Sequence, residues 1–571
     1  MDIETNYWLR RARTGRFTRR SFIGGTAAAG IGAASLGLVG CGSDNNSNSK
    51  TPSGSSTAPG ASASAGASAT ASETPKPGGS YTPAFTGPFA GVDPHNSVYG
   101  GAGIVPEVYN YLIRDEVAIH PDKGVIDDFA ESHSVEADNI TWTFKIRQGV
   151  NIAQNSKGVA VRALDSSDAL ASWKRIADPA AGSNGYTFTS HWVDKMDTPD
   201  PNTFRMILKK PFAWTEASVG NNLVGAIVPK EWLASPDLKK WAVGAGPFML
   251  SELTEGDHAT MLKNPTYYKT GKPYLDKTII RAFSDLATER TAFTAGQIDR
   301  YIASNQDEAK ELKNGNKDLQ YYHEKSTGFL SFWMNTKDKP WDDGRVRRAV
   351  NLATNRDEYI QIIGHGAGEP IGVLSYIFGD YALSGDALKQ VQPYDVAEAK
   401  KLFQAAGVSE FTFSYPTSSN VADYVNIFVK QMGQAGVTAK GQPLDAGTWV
   451  AGYFTSKLSA SLSLNQEYQT PDAALQWYVT GGITGNGHYD TGFSVPAVDD
   501  AIAKAAGTID VAQRKAAYID AQNVIFKNDP PFINFFGLYQ DTLYYPYIKN
   551  PPVGLGSLGY AYEEDIWTTK A

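Results

Sequence analysis

One cysteine stands in 571 residues, at position 41. No disulfide can form within the chain, and no thiol nucleophile exists beyond that position. Residues 42–80 contain no Val, Ile, Leu, Met, Phe, Trp or Tyr. Such a stretch cannot bury enough apolar surface to offset its ordering entropy, so it is expected to be a flexible tether with a reach of roughly 35 Å. Lys/Arg blocks are also missing from the body. The first 40 residues carry a net charge of +4, which leaves −12 on the remainder. Nucleic acid and anionic lipid need clustered cations, so neither is expected as a partner. The histidines are scattered, with no HExxH or Cys/His ligand spacing, and no GxSxG elbow occurs. Among 60 Asp and Glu some pair can always be imagined at glycosidase separation, so that count carries no weight. No catalytic residue, metal site or cofactor is expected. There is no repeat of 20–50 residues, which argues against a solenoid, a propeller or an adhesive rod.

What is present begins with an export address. Thr18-Arg19-Arg20-Ser21-Phe22-Ile23 leads into the weakly apolar run 22–40, which resembles a twin-arginine signal. A spanning helix is the other reading of that run, but five Gly before position 38 make it a poor permanent span. The run stops at Leu38-Val39-Gly40-Cys41, which resembles a lipobox. The expectation is a signal peptide over 1–40, a lipidated Cys41 and a tether over 41–80. Two or three acyl chains there anchor stably where one would not. The protein is expected outside the cytoplasm, held to the outer face of the cytoplasmic membrane, or in the periplasm, by that lipid alone.

With 42% apolar and 12% aromatic residues the body can build a large core. Residues 141–147 alternate polar and apolar, predicting a half-buried strand, and Asp200-Pro201-Asn202 is a turn before another at 203–209. Between them, 166–176 has helical spacing. Asp395 caps the stripe Val396, Ala399, Leu402, Phe403, Ala406, with Glu398 three residues on and Gly407 as the stop. A strand at 411–415, a second helical stripe from Val421 to Met432 and a strand from Val437 follow. Helices alternating with strands predict an α/β lobe.

Seven stretches in order then point to a family. They are Asp93-Pro94-His95 with 108–114; Trp142 to Val150 with Asp168-Ala169; Gly244-Ala245-Gly246-Pro247-Phe248; 264–268 with 272–277; Ala295 to Asp299; Asn335-Thr336-Lys337 with Pro340-Trp341-Asp342-Asp343; and Val346-Arg347-Arg348-Ala349 with Asn355-Arg356. From about Tyr81 to Phe536 the chain resembles the extracellular solute-binding proteins of ABC importers of the peptide/nickel class. It departs at 152–158, where a Phe-His-Asp-Gly-like turn is usual, and in Ala245 for Thr and Asn355 for Asp. The resemblance implies a two-lobed periplasmic-binding-protein fold of type II, with an additional subdomain and lobes discontinuous in sequence and joined by a hinge. Lobe I is expected over 81–115, 190–325 and 535–571, the subdomain over 116–189 and lobe II over 326–534. A monomer is expected to close on a peptide or other small solute and dock on a membrane permease.

In peptide binders of this kind a second-lobe acid, in a loop of the form acid-x-x-x-Pro, holds the ligand ammonium. Glu467-Tyr468-Gln469-Thr470-Pro471 matches, which makes Glu467 the candidate and Asp472 the second choice. Trp449 and Trp477, with Tyr453 and Tyr468, could form aromatic walls for a peptide or a sugar. A short peptide is the expected cargo. An oligosaccharide or a metal chelate is the alternative, and a secreted hydrolase is the rival class.

Overall fold

Alternation at 141–147 becomes the strand Thr141–Ile146, with Trp142, Phe144 and Ile146 buried between less buried neighbours. The computed structural model describes residues 74–87, 91–96, 103–115, 125–222, 224–417, 421–466, 470–481, 490–553 and 562–570. The expected signal segment, Cys41 and most of the expected tether lie outside them, as do Glu467 and Tyr468. No helix among the described residues is long and apolar enough to cross a membrane.

The N-terminal part carries two main sheets. One is antiparallel, in the order Ala130–Val135, Thr141–Ile146, Thr203–Leu208, Val193–Asp200. Strands on both sides of the boundary expected at residue 189 thus share this sheet. Helix Ser166–Ile176 crosses between its strands, begun by an Asp165 cap and a reciprocal Asp168 box. The second sheet is the antiparallel run Phe248–Thr254, His258–Lys263, Lys277–Phe283, with Ser80–Tyr81 and Ala84–Thr86 added in parallel at Lys277–Phe283. The Gly-Ala-Gly-Pro-Phe turn precedes it for a steric reason. A Cβ on Gly244 would sit 2.2 Å from the Val108 carbonyl oxygen, and one on Gly246 would sit 2.6 Å from that of Glu107. Only glycine lets the turn lie against helix Val105–Val108.

The third sheet runs through the rest of the molecule. Glu410–Pro416 and Thr438–Leu444 pair in parallel across helix Ala422–Gln434, and Ala460–Gln466 joins Glu410–Pro416 to the long strand Gln320–Met334. That strand pairs with a second long one, Phe532–Tyr544. A core of Phe332, Trp341, Phe411, Phe413, Phe428 and Phe535 fills this second lobe. Together these layers make the two-lobed α/β periplasmic-binding-protein fold of type II.

The last residues clasp the first lobe. Glu564 is almost fully buried and pairs with Arg114 at 2.7 Å and with Lys269 at 2.7 Å. Burial alone would raise its carboxyl, but Arg114 and Lys269 outweigh burial and hold it well below the usual carboxylate range. A depressed value means that this stability is present above the unfolded value, about 4.3, and is lost as pH falls below it. Glu564→Ala leaves Arg114 buried without its carboxylate and should cost about 3–5 kcal/mol. Urea melts at pH 7 check this, and the loss should shrink as the pH of the melt is taken down through 4.

Candidate functional site

Two of the sequence-predicted aromatics sit on one helix for a local reason. Asp445 accepts from the Thr448 N–H at 3.0 Å and starts helix Ala446–Phe454, which places Trp449 and Tyr453 four residues apart on one face. Their rings stack at 5.0 Å with 18° between planes. Trp449 is held from the other side, its indole N–H donating to Ser461 Oγ at 2.9 Å.

The predicted pair Trp449 and Trp477 does not make one continuous stack. Tyr453 lies between them, 6.1 Å from Trp477 and 5.3 Å from Trp333. Trp477 in turn packs on Phe532 at 5.0 Å. Tyr453 is only 5% exposed, so it backs the cluster, while the two tryptophans remain half-buried at its flanks. Strand Gln320–Met334, two helical segments and strand Phe532–Tyr544 all contribute rings, and Trp333 pairs with Phe532 in the ladder, so the cluster stands at the second-lobe end of the two long strands.

Asp472 lies beside it, in the first turn of helix Pro471–Leu475, where Thr470 Oγ1 caps the Ala473 N–H at 3.1 Å. It is 5% exposed, and the one hydrogen bond to its carboxylate among the described residues is a long one, 3.4 Å from Gln476 Nε2. Burial pushes its carboxyl up to about 7, with the Gln476 bond and the Lys210 charge pulling weakly the other way. A buried acid in that condition is poised to take a cation. Its setting is long-range. Desolvation, then the Asp472 charge, hold the Tyr518 hydroxyl well up, and Tyr518 accepts from Trp214 Nε1 at 2.8 Å. Ala213 N donates to Ala506 O at 3.0 Å, and the Arg514 guanidinium lies 4.9 Å over the Trp214 ring. Asp472 therefore stands near the seam where the segment after the antiparallel four-stranded sheet meets helices Pro496–Gly507 and Val511–Lys527. Sequence reasoning missed Lys210, Trp214, Arg514 and Tyr518. They stand some 260 residues before and 40 after the acid, and no short-range signal links them.

The opening motif has a structural task. Asp93 forks onto Arg175 at 2.7 and 2.9 Å, and His95 bridges Arg175 and the Ala226 carbonyl. Burial, with the Arg175 cation, pushes the His95 imidazole down to about 4 and keeps it neutral. Among the described residues no group of three or more His, Cys, Asp or Glu could hold a metal ion.

Residues 124–486 match the family described as bacterial extracellular solute-binding proteins, family 5. The chain is 25% identical over 425 residues to the Glutathione-binding protein GsiB of Escherichia coli K12, covering 70% of this chain and 78% of that protein. Its fold superposes on DppA from Helicobacter pylori, solved with the peptide STSA, at a TM-score of 0.75 and 22% identity, over 87% of this chain and 99% of that one. NikZ from Campylobacter jejuni, solved with Ni(L-His), superposes at 0.72 and 18% identity, over 85% of this chain and 99% of that one. The chain belongs to family 5 of the bacterial extracellular solute-binding proteins, and it is a substrate-binding protein of an ABC importer and not an enzyme.

Proposed function

We propose that this receptor captures a short peptide between a first lobe, drawn from 81–115, 190–325 and 535–571, and a second lobe over 326–534, the strands at 130–146 going with the sheet they share with 193–208 rather than with a separate subdomain over 116–189. A lipid on Cys41, reached by twin-arginine export, holds the monomer at the membrane beside its permease. The observation that carries the peptide reading is the acid beside the aromatic cluster. Asp472 is buried, and among the described residues it makes no ion pair, the Lys210 charge pulling only weakly on it; a peptide ammonium is the charge that would meet it. Glu467, five residues earlier in the acid-x-x-x-Pro loop, is the first choice for that ammonium; Trp449 and Trp477, backed by Tyr453, offer the aromatic wall, and Tyr468 is the fourth aromatic of the proposal. Relatives named for glutathione and solved with a peptide support the same cargo.

A thermal-shift screen of di- to pentapeptides, oligosaccharides and metal chelates tests the cargo. A ligand at 100 times its Kd adds about 2.7 kcal/mol to stability. Rises confined to sugars would move the site to Trp449 and Trp477 and return Glu467 to an ordinary loop charge.

Glu467→Ala should weaken the best peptide at least tenfold by calorimetry. An unchanged Kd ends that role and passes the ammonium to Asp472. The Asp472 arm has its own signature. Its folded value of about 7 lies above the unfolded one, so ionising it costs stability progressively as pH rises from about 4 through 7. Asp472→Asn should therefore melt higher than the parent at pH 8 and no higher at pH 4. If this acid holds the ammonium, peptide affinity should also fall by up to tenfold per pH unit below 7, and the variant should lose that dependence.

The anchor is tested separately. Cys41→Ser should move the protein from the membrane fraction to the soluble one, and retention in the membrane would remove the lipid from the proposal.

A further inference from the structure

Among the described residues, only two strands carry the third sheet from one lobe to the other. Toward the first lobe Phe532–Tyr544 is flanked by Arg300–Ala303, and toward the second Gln320–Met334 is flanked by Ala460–Gln466. The apolar clusters change over along the same line. Leu319 and Leu543 belong to one, and Leu330, Phe332, Ile533, Phe535 and Phe536 belong to another.

At that crossing the ladder slips. Lys325 pairs with Tyr539 and Phe329 with Gly537, so Ser326, Thr327 and Gly328 stand opposite Leu538 alone. A bulge of this kind interrupts ladder bonding and bends the strands. It is where a motion between lobes meets least resistance.

Tyr376 occupies the bulge. It opens the turn Tyr376–Tyr381, and its hydroxyl lies 3.1 Å from the Ser326 carbonyl on one long strand and also donates to the Leu538 carbonyl on the other. A phenol has one proton, so it bridges or alternates between two carbonyls that belong to different strands. The ring takes the room of a missing side chain. A Cβ on Gly537 would fall 1.9 Å from Tyr376 Cε1. Above the ring, at 4.6 Å, stands the Lys325 ammonium, itself paired at 2.7 Å with Glu369. Glu369 faces Gly537 in the short strand Glu369–Pro370 and accepts from the Tyr539 hydroxyl at 3.3 Å. Ring, cation and acid close around one slip in the ladder.

We infer that Tyr376 is a hinge latch: its hydroxyl, shared between the Ser326 and Leu538 carbonyls, sets the angle between the lobes and with it the balance of open and closed receptor. It is a positioning residue that acts through the two strands, and the inference rests on the hinge lying at this bulge. In the latched geometry the lobes touch through Ala213 with Ala506 and Trp214 with Tyr518, so releasing the latch shifts the balance toward the open form. One neutral hydrogen bond changes such a ratio roughly two- to tenfold.

The test is a distance distribution in the ligand-free, full-length Cys41→Ser protein, with single-molecule energy transfer between dyes at Lys195→Cys and Glu410→Cys. Tyr376→Phe keeps the ring and removes the bridge, and should raise the share of long separations roughly two- to tenfold. Gly537→Ala displaces the ring and should shift the distribution the same way. Hydrogen exchange at residues 326–329 and 538 should quicken in both, with the melting midpoint of Tyr376→Phe within a few degrees of the parent. An unchanged distribution for Tyr376→Phe overturns the latch, and a lowered midpoint with the distribution unchanged reduces Tyr376 to a space filler. A parent protein with one fixed separation, insensitive to added glutathione or the STSA peptide, overturns the hinge at this bulge and the latch with it, while leaving the family assignment standing.

Discussion

The pairing of Gln320–Met334 with Phe532–Tyr544 is the contact on which the rest of the molecule depends. About two hundred residues separate the strands in sequence. Toward the first lobe Phe532–Tyr544 pairs with Arg300–Ala303, and the halves that face the second enter the aromatic core around Phe332 and Phe428. Closing so long a loop costs entropy that grows only slowly with length, and a long two-strand ladder can repay it. Two strands bend more readily than a full sheet, and their ladder slips twice, opposite Leu538 and again between Leu330 and Ser331.

Buried charge divides into two kinds along this frame. Asp93 with Arg175, and Glu564 with Arg114 and Lys269, are neutralised by partners within 3 Å and hold distant parts of the first lobe together. They are braces, and their electrostatics are already spent. Asp472 is of the other kind, because among the described residues it makes no ion pair and its burial pushes the carboxyl up. Acids of one chemistry thus differ in what the fold sets beside them. The aromatic cluster follows the same logic, with Tyr453 and Trp333 consumed by packing and Trp449 and Trp477 left half-exposed at the edge.

Local elements were legible where one stretch of chain carried its own signals. The helix expected at 166–176 runs Ser166–Ile176, and the stripe begun by Asp395 runs Val396–Ala405 with the cap bonded to the Glu398 N–H at 2.9 Å. The second stripe and its flanking strands appear as Glu410–Pro416, Ala422–Gln434 and Thr438–Leu444. Asn355, which departs from the family's Asp, still caps its helix by accepting from the Glu358 N–H at 3.2 Å. The site was legible only in part. The sequence singled out Trp449, Trp477 and Tyr453 as aromatics of one wall, but nothing in it put Tyr453 between the tryptophans or made Tyr453 the buried member.

By itself the sequence determined the single cysteine, the apolar-free stretch behind it, the caps and stripes of individual helices, and the ordered motifs that carry the family. These depend on neighbours within a few positions or on residue identity alone. Only the tertiary structure decided which acid burial pushes up to about 7, which strand pair passes between the lobes, and which tyrosine fills the slip in it. Each of those depends on atoms brought together from hundreds of residues apart. Desolvation and shared carbonyls are properties of the packed neighbourhood and leave no mark on the local pattern of the chain.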